Sequence, residues 1–435
     1  MKTIGIISLG CDKNRVDTEK MLGYLTGSAF EITDNIQDAE IIIINTCAFI
    51  EKARKESIDT ILDAIQLKEN KCEKIIVSGC LSQKYLNELK KDLPEVDAFI
   101  GTSNYSDIVN IINRLYNGEQ YYSTVPIDQD TTNRVLTTPG HYAYLKIADG
   151  CDNRCTFCAI PDIRGHYRSR EKEHILQEAQ DLADMGVKEI LLVAQDTGRY
   201  GTDIYKNYNI VSLLSDLTKI DGIEWIRLLY CYPETITDEL LDLIVKEPKI
   251  CNYLDIPLQH VDDTILRRMN RHITEQGVKD LIKRIRAAGD ISIRSSFILG
   301  FPQETDEQFE KLLKFLEEYK LDNVGFFTYS KEEGTPASRM SGQIPSKIKN
   351  QRLKAAAAVQ QKVVIENNKK YLNKTLKVLY EGIDYKKKLF YGRTQYNAPD
   401  VDTTVYFTGN FADIGNFYNV KITDILTYDL KGEMQ

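Results

Sequence analysis

The chain has 435 residues, 42% of them apolar and 28% charged, so sizeable cores can form, disorder is not expected to dominate and there is room for about three domains. Its formal charge of −8, from 56 basic and 64 acidic side chains, argues against general affinity for a phosphate backbone; it suits a basic protein partner and is also ordinary for a soluble enzyme. Apolar runs such as IIII at 41–44 are far too short to span a bilayer, and the opening MKTIGIISLG lacks the basic head and long apolar core of a signal peptide, so a cytoplasmic location with no membrane partner is expected.

The first hundred residues repeat one pattern three times. TIGIISLG runs into Cys11, AEIIIINT into Cys47 and EKIIVSG into Cys80. Each is a short β-branched run of the kind buried in parallel sheets, and each is followed by a polar, helix-competent segment. Strand alternating with helix predicts a three-layer parallel α/β domain over 1–126. Ligands bind such sheets at the carboxyl ends of the strands, and all three cysteines fall there. A polar stretch, 127–140, ends in Pro-Gly and reads as a linker.

From Tyr142 the alternation resumes. Six strand candidates, YAYLKIA, EILLVAQ, WIRLLYC, YLDIPLQ, SIRSSFILG and VGFFTYS, predict a partial (β/α)6 barrel within 141–368, with its chemistry at the C-terminal rim of the strands. An Ala-rich segment, KNQRLKAAAAVQQKVVIENNKKYL, is a strong helix former and bridges to the last domain. Over 369–435 the pattern becomes short alternating strands, a small antiparallel β-barrel of OB-like size.

The stretch GCDNRCTFCAIP places Cys151, Cys155 and Cys158 within eight residues. In a reducing compartment these are not expected to be disulfides, and metal or catalytic use leads. Three readings compete. A zinc site needs a fourth ligand, with His166 the nearest candidate. Incidental burial is a poor account of three thiols so close together. A 4Fe–4S cluster held by three thiolates leaves one iron open for a small molecule. Cys11, Cys47 and Cys80 admit the same cluster reading or simple packing, since free cysteine is commonly buried. Cys72, Cys231 and Cys251 have no partners at metal spacing and read as packing residues.

C-x3-C-x2-C after the first barrel strand resembles the signature of the radical S-adenosylmethionine superfamily. Together with the N-terminal cysteine trio and the segments SLGCDKNRVDTE (8–19), NTCAFIEKARKESIDTI (45–61), HYAYLKIADGCDNRCTFCAIPDIRG (141–165), YLDIPLQHVDD (253–263) and YSKEEGTPA (329–337), the chain resembles the methylthiotransferase family over nearly its whole length. The likeness is to the branch that modifies an aspartate of a small-subunit ribosomal protein, uS12; the GCQMN-like and LPVQSGS-like segments of the tRNA-modifying branch are missing. GRTQYNAPDVD (392–402) and KITDILTYDLKGE (421–433) resemble a TRAM domain, with Thr403 where glycine is usual.

The resemblance implies two 4Fe–4S clusters, one on Cys11, Cys47 and Cys80 and one on Cys151, Cys155 and Cys158. S-adenosylmethionine serves both as methyl donor and as the source of a 5′-deoxyadenosyl radical. That radical takes hydrogen from the β-carbon of the target aspartate, and the product is 3-methylthioaspartate. An electron donor of flavodoxin or ferredoxin type and a sulfur donor are implied as partners, with the free ribosomal protein or the assembled subunit as substrate. The chemistry is borne by the clusters, so no acid–base residue is required.

Other residues carry weaker expectations. Gln195 and Asp196 end the second barrel strand and suit hydrogen bonds to the methionine amine; helix capping is the other reading. Gly300 and Glu304, in GFPQET, lie in the segment that the resemblance sets beside the nucleotide, and they also suit a plain turn. Arg294 can pair with a carboxylate of the cofactor or form a barrel-exterior salt bridge. His260 reads as structural or substrate-lining, and the arginines of IRGHYRSR (163–170) as a solvated or substrate-facing loop. Two other functions stay open. A tRNA adenosine methylthiotransferase would favour a basic C-terminal barrel, whereas the charges there are mixed. A non-catalytic iron–sulfur module docking on the ribosome would hold a cluster without turning over S-adenosylmethionine.

Overall fold

The structure, a computed structural model, describes residues 1–127, 131–410 and 412–435. It has the expected α/β multidomain architecture. The first domain is a six-stranded sheet of β1 (Lys2–Ser8), β2 (Phe30–Ile32), β3 (Ile41–Thr46), β4 (Lys74–Gly79), β5 (Ala98–Ile100) and β6 (Tyr121–Ser123), in spatial order β2-β1-β3-β4-β5-β6. Every pairing is parallel. Four helices cover it: α1 (Asp12–Leu25), α2 (Glu51–Gln66), α3 (Cys80–Asp92) and α4 (Ile108–Tyr116). The Ile41–Ile44 run is apolar throughout because both faces are covered. Ile41 and Ile43 meet Met21 and Ile111 on one side, and Ile42 and Ile44 meet Ile61 and Leu81 on the other. The sheet grows outward in both directions from β1 and β3, so the crevice at their carboxyl ends is the topological switch point.

The second domain begins with β7 (Tyr142–Lys146). A short antiparallel pair, β8 (Ala148–Asp149) and β9 (Arg168–Ser169), then brackets a loop and the helix α5 (Ile160–Arg164). The remaining barrel strands are β10 (Glu189–Val193), β11 (Trp225–Leu228), β12 (Tyr253–Gln259), β13 (Ser292–Leu299) and β14 (Asn323–Thr328). The six expected strands are all present. They form two parallel three-stranded sheets, β11-β10-β7 and β12-β13-β14. The sheets meet at a seam held by an Ile226–Ile250 bridge and by Cys231 N donating to Asp255 O at 2.8 Å. Helices α6 (Lys172–Asp184), α7 (Ile210–Leu217), α8 (Asp238–Lys246), α9 (Asp263–Arg268), α10 (Glu275–Ala288) and α11 (Asp306–Tyr319) pack outside, followed by the Ala-rich α12 (Ser346–Asn368) against α11 and β14. Their starts follow local chemistry: Asn209, Thr237, Asp262 and Thr274 accept from first-turn amides, and Thr305 with Gln308 forms a capping box.

The third domain is a closed five-stranded barrel, β15 (Thr375–Asp384), β16 (Leu389–Arg393), β17 (Val405–Thr408), β18 (Phe417–Ile425) and β19 (Leu430–Met434), in the order β15-β16-β17-β19-β18. It docks at the amino ends of the radical-barrel strands. Arg227 and Arg393 both bind Glu189, at 2.7 Å each, and Arg227 also donates to the Thr394 and Gln395 carbonyls. Asp402 binds the Tyr253 hydroxyl and Arg294, and Phe417 meets Trp225 at 4.7 Å between ring centroids.

The polar stretch at 127–140 is not a free tether over its described part; residues 128–130 lie outside the described residues. Arg134 is buried and pairs with Glu19 of α1 and with Glu178 of α6, the latter at 2.8 Å. Against burial, which favours the neutral acid, Arg170, Lys20 and Arg134 hold the Glu178 carboxyl down at about 2. A charged residue in a Pro-Gly-terminated stretch looks solvated in sequence; here it clasps two domains.

Candidate active site

Cys11, Cys47 and Cys80 follow the carboxyl ends of β1, β3 and β4, three neighbouring strands at and beside the switch point. Their loops touch. Gly10 has φ +92°, and a side chain on it would come within 2.7 Å of the Cys47 Cβ, so only glycine lets the first loop approach the second. Cys11 and Gly79 are the N-caps of α1 and α3 and neither carries a side-chain cap; Ile50 at the start of α2 has none either. The positive ends of α1 and α3 therefore lie at Cys11 and Cys80, an arrangement suited to anionic sulfur. Burial pushes the Cys80 thiol up to about 12 and also raises Cys47, and in both cases Arg164 pulls the other way.

Cys151, Cys155 and Cys158 occupy the loop between β8 and β9, at the carboxyl end of β7. Gly150 makes the entry turn at φ +80°; a Cβ there would stand 2.0 Å from the His166 carbonyl. Burial raises the Cys151 thiol and lifts Cys158 to about 12. All six thiols are free. His166 points to solvent, 81% exposed and paired with Asp152 at 2.8 Å, so it does not complete a zinc site. Among the described residues no group of three or more His, Cys, Asp or Glu side chains is arranged to hold a single metal ion. A cubane asks for less convergence, because each thiolate takes a different iron.

The residues around the second trio fit a charged ligand. The Asp196 side chain is 3.1 Å from Asn153 Nδ2, and burial raises its carboxyl to about 6. Asp196 Oδ1 and Gln195 Oε1 are buried acceptors without a protein donor among the described residues. Such acceptors suit an ammonium group. Gly300 turns at φ +71°, and Glu304 is committed to that turn, accepting from Gly300 N at 2.5 Å and Phe301 N at 3.0 Å and pairing with Arg352 at 3.0 Å. Arg294 lies three residues into β13 and spends its guanidinium on Asp255 and Asp402, each at 3.2 Å. That is a salt bridge, as in one of its two readings, but it joins the barrel floor to the third domain rather than lying on the barrel exterior.

Several participants were not legible in the sequence. Tyr232 Oη stands 3.2 Å from Cys155 Sγ, and Arg271 Nη1 3.7 Å from the same sulfur, with the guanidinium 4.1 Å above the Tyr232 ring. Both come from rim loops far along the chain. Glu332, in YSKEEGTPA, caps the α2 amide of Glu51 at 2.9 Å and binds Arg54 at 3.2 Å, tying the loop after Cys47 to the barrel. The IRGHYRSR segment corrects its expectation. Arg164 is buried between domains, Arg170 binds Glu178 at 2.7 Å, and Arg168 alone of the three is exposed. His260 is fully buried, with Nδ1 accepting from Asp262 N at 3.0 Å. Cys72, Cys231 and Cys251 are buried within hydrophobic cores.

Compared with known families, residues 145–316 match the Radical SAM superfamily, residues 3–101 the uncharacterized protein family UPF0004, and residues 374–434 the TRAM domain. The chain is 47% identical to the ribosomal protein uS12 methylthiotransferase RimO of Desulforamulus reducens, with 100% of both chains covered. It belongs to the RimO methylthiotransferase family. RimO of Acetivibrio thermocellus is 46% identical, over 100% of this chain and 98% of the relative, and that of Clostridium botulinum 47%, over 99% and 98%. Among solved structures, the radical S-adenosylmethionine methyltransferase TsrM of Kitasatospora setae, with tryptophan and a S-adenosylmethionine analogue bound, has a TM-score of 0.60 at 14% identity, covering 85% of this chain and 90% of its own. The cobalamin-dependent enzyme OxsB gives 0.52 at 14%, over 83% and 56%. At that identity the likeness is one of fold. The three matched segments of this RimO-family chain fall in the parallel sheet, the open barrel and the closed barrel.

Proposed function

We propose that the chain methylthiolates the β-carbon of an aspartate in ribosomal protein uS12, using two 4Fe–4S clusters and S-adenosylmethionine. When bound, these groups supply one-electron cleavage of the sulfonium, hydrogen abstraction from an unactivated carbon and a methylated sulfur for transfer. The supporting observation is the presence of two trios of free thiols, each at the carboxyl ends of parallel strands, joined through α5 in a chain alike to RimO from end to end.

On this reading Cys11, Cys47 and Cys80 hold one cluster and Cys151, Cys155 and Cys158 the other. Gln195 and Asp196 accept from the methionine ammonium, which holds Asp196 ionised despite its burial. Gly300 and Glu304 shape the turn beside the nucleotide. Tyr232 and Arg271 donate to the Cys155 sulfur once it is a thiolate. Arg294 serves the docking of the third domain. The same reading places the enzyme in the cytoplasm and calls for an electron donor and a sulfur donor. Two of the barrel's aromatics are not free to stack on bases: Phe407 lies in its core and Phe417 packs on Trp225.

The test is a Cys11→Ala variant, reconstituted without oxygen and given S-adenosylmethionine and dithionite. It should still form 5′-deoxyadenosine, while mass spectrometry finds no methylthio group on uS12. Methylthiolated uS12 from that variant would overturn the assignment of the two trios.

A further inference from the structure

Arg164 ends α5, six positions after Cys158, and its side chain is 2% exposed. The guanidinium leaves its own domain. Nη2 donates to Asn14 Oδ1 at 2.8 Å and Asp17 Oδ2 at 2.9 Å, both on α1, the helix that Cys11 caps. Nη1 donates to Asp149 Oδ2 at 2.8 Å, two residues before Cys151. Asn14 Oδ1 lies 3.6 Å from the Cys80 sulfur as well. One planar fork thus reaches the helix begun at Cys11, an acceptor shared with Cys80 and the strand leading into Cys151.

Each end of that fork is itself held. Lys146 pairs with Asp17 and, at 3.3 Å, with Asp149. Gln195 donates to Asp149 at 3.1 Å. The Asn14 amide donates to the Leu9 and Thr46 carbonyls, which belong to the loops of Cys11 and Cys47. Ala159, the N-cap of α5, and Ile163 within the helix sit in the same apolar core as Ala48, Cys80 and Leu81. The Arg164, Asp17 and Lys146 side chains on this path are buried, and Asp149 is partly so.

We infer that Arg164 is a positioning residue that couples the two cysteine sites, fixing their separation and placing a positive charge beside the Cys11/Cys47/Cys80 site. The inference rests on the reading above that both trios carry clusters. A cluster gains negative charge on reduction, so a buried cation next to it makes reduction easier, and net charge and hydrogen bonding are among the factors that set such potentials. The fork geometry needs arginine, since lysine offers the charge without the parallel donors.

The experiment compares the reconstituted holoenzyme with Arg164→Gln and Arg164→Lys. Three quantities are read: the midpoint potential of each cluster by EPR redox titration, the dipolar coupling between the reduced clusters, and methylthiolated uS12 formed per 5′-deoxyadenosine. In R164Q the potential of the Cys11/Cys47/Cys80 cluster should become more negative. In R164K that potential should stay near wild type, while the dipolar coupling changes and the product ratio falls about 100-fold, the usual cost of an ångström of misplacement. If R164Q does not fold, Asp17→Asn removes an anion and keeps the arginine, and the potential should move the opposite way. Variants that lose melting temperature but keep potentials, coupling and product ratio would make Arg164 a plain structural clamp and overturn the inference. Wild-type protein with iron for one cluster would instead sink the two-cluster reading, and this inference with it.

Discussion

At the scale of single residues, the close run of Cys151, Cys155 and Cys158 stood out in the sequence because thiols have few structural reasons to gather, whereas Arg164 did not. An arginine in a polar segment is solvated unless carboxylates from elsewhere meet it, and Asp17 stands 147 residues away. Arg294 shows the converse: a basic side chain on a barrel strand suits a ligand until Asp402, from another domain, takes it. His260 carries a prediction of its own. Burial lowers its pKa from 6.5 to about 4; Asp262 opposes that shift, and Lys311 and Arg352 add to it. A histidine with a depressed folded pKa stabilises fully above its unfolded value, and that contribution is lost as the pH falls from about 6.5 through about 4. Urea unfolding at pH 7 and pH 4 should show His260→Asn losing about 3 kcal/mol less than wild type over that interval. An Asn side chain keeps an acceptor for the Asp262 amide and does not titrate.

At the scale of elements, period and composition located the long strands of the first two domains and the Ala-rich helix, but ran β18 and β19 together as FYNVKITDILTYDL. The misses were short. β2, β5 and β6 have three residues each, and β8 and β9 two; so few residues carry no period, and their pairing is imposed by neighbours. The stretch before Tyr142 misled for a different reason, since its composition is that of a linker while one arginine in it is clasped by Glu19 and Glu178. Removing one member of a buried ionic cluster strands the others without solvent. Arg134→Ala should therefore cost about 3–5 kcal/mol in urea unfolding. Hydrogen exchange should rise in α1 and α6 together, where loss of a mere tether would leave both protected.

At the scale of the whole molecule, the radical barrel is finished by its neighbours. The inner face that Tyr142, Tyr144, Leu191, Val193 and Tyr253 present is covered by Val16 from the first domain and by Leu379, Ala398 and Phe417 from the third. The TRAM-like motif at 392–402 supplies much of the docking through Arg393, the Thr394 and Gln395 carbonyls and Asp402. A chain ending at residue 368 should therefore fail in folding before it fails in substrate binding. Its soluble yield should drop sharply and 5′-deoxyadenosine formation should fall with it. A truncated chain that cleaves S-adenosylmethionine at the wild-type rate would show the third domain to be dispensable for the barrel.

The sequence by itself determined the order of the long strands and helices and the C-x3-C-x2-C spacing, because hydrophobic period and residue spacing are local properties written along the chain. Only the tertiary structure decided the partners of the charged side chains: which arginine lies between the two trios, which seals the barrel floor and which stays in water. Those choices depend on burial and on groups more than a hundred residues apart, and a buried charge is tolerable only where its counter-charge has already been placed.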